Sequence, residues 1–218
     1  MKKNFVVLLS GSGFLDGSEI YETVLTLFIL DKLGIGYMCT APNGQTAVVN
    51  HISRVENGES RSLFAEAARL ARGDIKPIHH IDADYYDGLI IPGGYGVAKH
   101  LCNYAVAGPD MIVDPLVSGL ASSFFSRGKP IGLMCIAATL APLIGGAGTL
   151  CTVGNDPETI RHLIAMGARH QSATASECVI DWNKKIVSTP AYMVAERISD
   201  MEAGILAMVE ALISLSSQ

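Results

Sequence analysis

Charge is scarce in this sequence. Asp, Glu, Lys and Arg make up 17% of the residues, against 49% hydrophobic. The 16 Lys and Arg are outnumbered by 21 Asp and Glu, for a net charge of −5. That balance lacks the basic footprint nucleic acid requires. The five cysteines are odd in number and irregular in spacing, so neither a disulfide framework nor a paired zinc signature is present, and no metal is expected. Free thiols predict a reducing, cytoplasmic setting. Linkers, internal repeats and low-complexity tracts are missing. The 218 residues therefore read as one domain, 1–218, with residues 43–77 as an insertion or lid.

A membrane segment is also absent. The opening Met1-Lys2-Lys3 and the apolar residues 5–9 resemble a leader, but Ser10-Gly11-Ser12-Gly13 breaks the run before any cleavage site. Residues 130–155 hold no charged side chain and suffice in number to span a bilayer. Their two prolines and the glycines at 145, 146 and 148 instead suggest a strand, a helix, a loop and a second strand.

Short apolar runs alternate with helical patterns along the chain. Strands are predicted at 5–9, 37–40, 47–50, 86–91, 131–134 and 150–153, with a hairpin at 178–188. Helices are predicted at 18–32, 61–72, 113–126, 157–166 and 194–215, the first with Asp16 and Glu19 at capping-box spacing. The alternation implies an α/β fold, a mostly parallel sheet with helices on both faces.

The sequence centres on residues 129–142. An apolar strand runs into Cys135 and then into small residues suited to a helix. A cysteine at such an elbow exposes its sulfur above the sheet. Helix N–H groups would favour thiolate, and the N–H of Ile136 would receive an oxyanion. The alternative is an inert core cysteine. Ligands in open α/β sheets bind beyond the carboxyl ends of strands, and three loops qualify: after Leu9, after Ile91 and at Cys135. Gly93-Gly94 can turn a second N–H inward, and the helix after Leu9 carries Glu19 and Glu22 in its first turns.

These features carry a resemblance. Leu9-Ser10-Gly11, residues 16–20, Asn50-His51, Ala71-Arg72-Gly73, Pro92-Gly93-Gly94, Met134-Cys135-Ile136-Ala137 and residues 189–193 together resemble the PfpI-like superfamily. That superfamily also holds class I glutamine amidotransferase domains and the parkinsonism-associated deglycase. The chain is most similar to its ElbB-type branch, glyoxalase-like isoprenoid-biosynthesis proteins with an amidotransferase-like domain. The resemblance implies a flavodoxin-like three-layer sandwich, a nucleophilic Cys135 and a glutamate hydrogen-bonded to its sulfur. Glu22 matches that pattern best, with Glu19 as fallback. Gly94 and Ile136 would supply the oxyanion N–H groups.

The sequence departs from the pattern at histidine. Superfamily proteases place one directly after the cysteine, where Ile136 stands. Deglycase-like members place one about twenty residues on, where this chain reads Thr152-Val153-Gly154-Asn155-Asp156. A Cys–His pair is missing, which disfavours protease or amidase chemistry. His51, on the 43–77 excursion, and His100, after the glycine-rich loop, remain candidates. His79, His80, His162 and His170 read as solvated, and Lys99 as a candidate for an anionic product. Cys39, Cys102, Cys151 and Cys178 read as structural.

Two functions follow. One is a glyoxalase-like enzyme converting small dicarbonyls, glyoxal to glycolate, with no cofactor. The other is a redox-sensing or regulatory module in which Cys135 is oxidised. A homodimer closing the pocket is expected, with no nucleic-acid or membrane partner.

Overall fold

A computed structural model of the protein describes residues 3–217. Met1 and Lys2, where the leader-like run begins, lie outside the described residues. The strands are β1 (Asn4–Leu8), β2 (Gly36–Ala41), β3 (Gln45–Asn50), β4 (Val55–Ser62), β5 (Ile75–Pro77), β6 (Gly88–Ile91), β7 (Ile131–Met134), β8 (Leu150–Cys151), β9 (Arg169–His170), β10 (Val179–Asp181) and β11 (Ile186–Thr189). The helices are α1 (Ile20–Lys32), α2 (Leu63–Leu70), α3 (Tyr104–Ala107), α4 (Pro115–Ser126), α5 (Ala141–Gly145), α6 (Pro157–Ala165) and α7 (Ile198–Leu215).

Seven strands form one sheet in the order β10-β11-β7-β6-β1-β2-β5. All neighbours are parallel except β10 and β11. Strand alternation sorts the apolar side chains into two cores. Phe5 and Val7 face α1, α2 and α7, where they meet Ile29, Leu30, Ala67 and Met208. Val6 and Leu8 face the other way, toward Val117 and Phe124 of α4 and Leu163 of α6. A strand buried on both faces has no polar side, which is why β1, β6 and β7 read as continuous apolar runs. Each such side chain, fully buried, contributes about 1.5–3 kcal/mol. The result is the expected three-layer α/β sandwich.

The boundaries shift where side chains cap earlier or later than periodicity suggests. Glu19 is the N-cap of α1, accepting from the N–H of Glu22, so that helix starts at Ile20 and not at 18. Ser62 caps α2. Asp200 accepts from the N–H of Arg197, which fixes the start of α7. The expected strand at 150–153 is short and leaves the main sheet, pairing with β9. The Asp181 carboxylate takes the N–H of Leu150 at 2.9 Å, in place of a ladder partner.

The 43–77 excursion divides. Residues 63–77 belong to the main body, because β5 extends the sheet beside β2. Only β3 and β4 stand apart, as an antiparallel pair. Among the described residues no helix is long and apolar enough to cross a membrane. The uncharged stretch 130–155 is divided among β7, a 3-10 turn, α5 and β8.

Candidate active site

The chain first builds outward from β1 through β2 to the β5 edge. It then returns to the other side of β1 to lay down β6 and β7. This reversal leaves a crevice at the carboxyl ends of β1 and β6. Loops after β1, β6, β7 and β11 meet there.

Cys135 follows the last residue of β7 at φ +53°, in the left-handed region a non-glycine residue rarely adopts. Holding it there costs about 1–3 kcal/mol, a strain typical of reactive elbows. Gly94 and Ile136 border the same cavity as Cys135, and the Glu22 carboxyl group lies beside its sulfur, both crowding the space over Gly93.

Glu22 is fully buried. Its Oε2 accepts from the N–H of Gly93 at 2.7 Å, and its Oε1 from the N–H of Tyr192 at 3.3 Å. The loop after β6 can approach this closely only because it lacks side chains. A Cβ on Gly93 would lie 2.5 Å from Cys135 Cβ and 2.6 Å from Glu22 Oε2. Gly94 sits at φ +98°, where a Cβ would collide with the N–H of Glu19 and the carbonyl of Gly17.

Burial, then the nearby Glu19 charge, pushes Glu22 up to about 7. Burial first and the Glu22 charge second push the Cys135 thiol well above its ordinary range. The expected low-pKa thiolate is therefore corrected. Residues 135–140 form a 3-10 turn and not the start of a long helix. Its weak dipole does not offset desolvation and a neighbouring carboxylate. The two groups titrate as a coupled pair, and burial disfavours charging both at once.

Glu19 lines the same cavity, but its carboxylate is engaged in capping α1. His51 lies outside the cavity lining. Its Nδ1 pairs with the carbonyl of Val49 at 2.9 Å, and its Nε2 lies 3.8 Å from Asp16 Oδ1. His100 Nε2 meets Thr46 Oγ1 at 2.9 Å, and Thr46 in turn donates to the carbonyl of Asp16. His51 thus ties the β3–β4 hairpin to the loop after β1, and His100 ties it to the segment after β6. Lys99 donates to the carbonyl of Leu15 and likewise leaves the cavity unlined by any Lys or Arg.

The cavity above Cys135 is open to solvent on one side and has a volume of ≈ 970 Å³. Gly94, Ile136 and Glu19 border it beside the sulfur, with Tyr21, Tyr95 and Tyr192 around them. His162, expected to be solvated, also lines it, and its Nδ1 pairs with Tyr104 OH at 2.8 Å. Thr159 and His162, three residues apart, share one face of α6, beside its cap Asp156. Tyr192 was missed as the second clamp on Glu22. It follows Ala191 at φ +44°, a conformation that alanine does not announce. Among the described residues no group of three or more His, Cys, Asp or Glu is arranged to hold a metal ion.

No family model matches the sequence. The chain is 36% identical to human glutamine amidotransferase-like class 1 domain-containing protein 3, mitochondrial, over 97% of its length and 83% of the relative's. It is 33% identical to the isoprenoid biosynthesis protein with amidotransferase-like domain from Ehrlichia chaffeensis. The TM-score with that crystal structure is 0.91, over 98% of this chain and 99% of the other. Drosophila melanogaster DJ-1beta shares the fold, with a TM-score of 0.58 at 17% identity, over 100% and 97% of the two chains. The expected cytoplasmic setting is overturned, because the human relative and its rat and zebrafish counterparts are designated mitochondrial. Free thiols report a reducing environment but not the compartment that supplies it.

Proposed function

The chain belongs to the glutamine amidotransferase-like class 1 family. On that premise we propose that it is a cofactor-independent, glyoxalase-like enzyme with Cys135 as nucleophile and Glu22 as proton carrier. The observation that carries this reading is the fully buried Glu22 carboxyl, held at both oxygens by backbone N–H groups and placed beside the Cys135 sulfur.

Glu22 takes the thiol proton as the sulfur attacks the aldehyde carbon of glyoxal. The N–H groups of Gly94 and Ile136, which border the cavity beside the sulfur, receive the oxyanion. Glu22 returns the proton to that oxygen, giving a hemithioacetal. The carboxylate then removes the proton from the sulfur-bearing carbon, giving an enediol as the neighbouring carbonyl oxygen is protonated. It returns that proton to the neighbouring carbon while the first carbon's hydroxyl gives up its own. The first carbon is oxidised to a thioester and its neighbour reduced to an alcohol. Water cleaves the thioester to glycolate and free thiol. A group with its pKa near 7 suits both directions of this transfer.

A second reading keeps the same cysteine as a redox sensor. The buried, hydrogen-bonding Glu22 favours it too, since a protonated carboxyl would donate to an oxidised sulfur. Turnover separates the two. A screen of small dicarbonyls should give product with wild type and none with Cys135→Ser. Stoichiometric oxidation without turnover would instead establish the sensor. The reading extends to a homodimer. Ile20, Tyr21, Val24 and Phe28 form an exposed apolar stripe on α1, and Tyr21 also lines the cavity, so a second copy seated there would close it.

A further inference from the structure

The proposed chemistry occupies one end of the cavity. Glyoxal is a very small molecule, whereas ≈ 970 Å³ is a volume suited to a much larger ligand. Tyr104 and His162 build another part of the wall. Their rings meet edge to face, with centroids 5.7 Å apart, and the Tyr104 hydroxyl pairs with His162 Nδ1 at 2.8 Å. The imidazole also lies over Gly108, where a Cβ would stand 3.4 Å from its Cε1. The ring is thus held in one orientation with Nδ1 occupied. Its Nε2 has no hydrogen-bond partner among the described residues. Burial pushes the Tyr104 phenol up, so it keeps its proton.

The charged groups on this cavity are Glu19, Asp156 and Glu158. Asp156 is engaged as the cap of α6, accepting from the N–H of Thr159 at 2.7 Å. The aromatics Phe14, Tyr21, Tyr95 and Tyr192 also line it, among small and aliphatic residues such as Ala98 and Val106. An anionic ligand would meet carboxylates with no cation to offset them, while aromatic faces tolerate neutral or cationic groups.

We propose that His162, positioned by Tyr104, forms a second subsite that binds the far end of the substrate. The ligand class is an aldehyde or 2-oxoaldehyde extended by a chain that ends in a neutral hydrogen-bonding group, a hydroxyl. His162 Nε2 makes the contact, and Tyr104 is a positioning residue. The assignment rests on Cys135 being the nucleophile of the same cavity.

The test does not require turnover. A simple aldehyde has no second carbonyl. It adds reversibly to Cys135, with carbon bonded to sulfur and the thiol proton on oxygen, and the reaction stops there. Aldehydes of equal length ending in methyl, hydroxyl or carboxylate are compared for protection of Cys135 against iodoacetamide. The hydroxyl-ended aldehyde should protect at about tenfold lower concentration than the methyl-ended one, the size of one neutral hydrogen bond. The carboxylate-ended one should protect least.

His162→Ala and Tyr104→Phe should each lose the hydroxyl preference. Tyr104→Phe keeps the ring packing and so retains the fold. His162→Gln, which carries an amide near the position of Nε2, should restore it. Equal protection by all three aldehydes in wild type, or a preference that survives His162→Ala, overturns the subsite. If wild-type Cys135 is not alkylated at all, the nucleophile reading itself fails and takes the subsite with it.

Discussion

Replacing Glu22 by Gln changes one oxygen to an NH₂ group at a site where two backbone N–H donors converge. In wild type both oxygens accept, one from Gly93 at 2.7 Å and one from Tyr192 at 3.3 Å. Glutamine has one acceptor, so it can satisfy only one of them and must aim its own donors at the other N–H or at the sulfur. A buried donor left unmatched costs about 1–3 kcal/mol. At about 2–4 °C per kcal/mol for a chain of this size, the melting temperature should fall by about 2–12 °C.

The chemical consequence has the opposite sign. The Glu22 charge is the second cause raising the Cys135 thiol. Removing it should move the alkylation midpoint to lower pH, so iodoacetamide should label Glu22→Gln at least as fast as wild type near neutrality. Dicarbonyl turnover should nevertheless fall by about 10²–10⁴, the usual contribution of a positioned proton carrier. Alkylation and turnover measured on one preparation separate the two effects. Full turnover in Glu22→Gln would refute the proton-carrier role and move attention to Glu19.

Glu22 also gives stability a pH dependence. Its folded pKa, about 7, lies above the ordinary 4.5, so its contribution is fully present below 4.5 and is lost as pH rises through 7. The loss is about 3 kcal/mol at most. Thermal scans should show wild type losing more stability than Glu22→Gln between pH 5 and 7.5, and parallel curves would contradict this. Gly94→Ala forces a Cβ into Glu19 and Gly17 at φ +98°. It should abolish turnover and cost several kcal/mol, whereas unchanged activity would show that the loop after β6 is free to move. Phe28→Glu, in the exposed stripe of α1, should convert a dimer to a 23.1 kDa monomer in sedimentation. A wild type that is already monomeric at micromolar concentration would remove the dimer.

The sheet was legible because its strands are buried on both faces, and an apolar run bounded by glycine or proline has few other readings. The elbow at Cys135 was legible for the same reason, since a strand ends where small residues begin. Side-chain capping was less visible: Glu19 and Asp16 both stand where a cap would fit. Only the fold shows Glu19 on α1, and Asp16 holding the hairpin through the N–H of Val49. Elbow position favours a thiolate at Cys135, but burial, a tertiary property, pushes its thiol the other way. Residue types gave the nearby N–H groups but not the desolvation that outweighs them. His51 and His100 were drawn toward the site by their positions in sequence, yet they face the hairpin. His162, further along the chain, reaches the cavity through the face of α6.

The central claim is tested most directly by the covalent state of Cys135 during glyoxal turnover. Wild type is quenched while consuming glyoxal, and the peptide bearing Cys135 is examined by mass spectrometry beside a glycolate assay. One glyoxal-derived group should be found on Cys135, with glycolate accumulating. Cys135→Ser should show neither. Glycolate formed at the wild-type rate by Cys135→Ser, or turnover with no adduct on any quench time, would contradict the assignment of Cys135 as nucleophile.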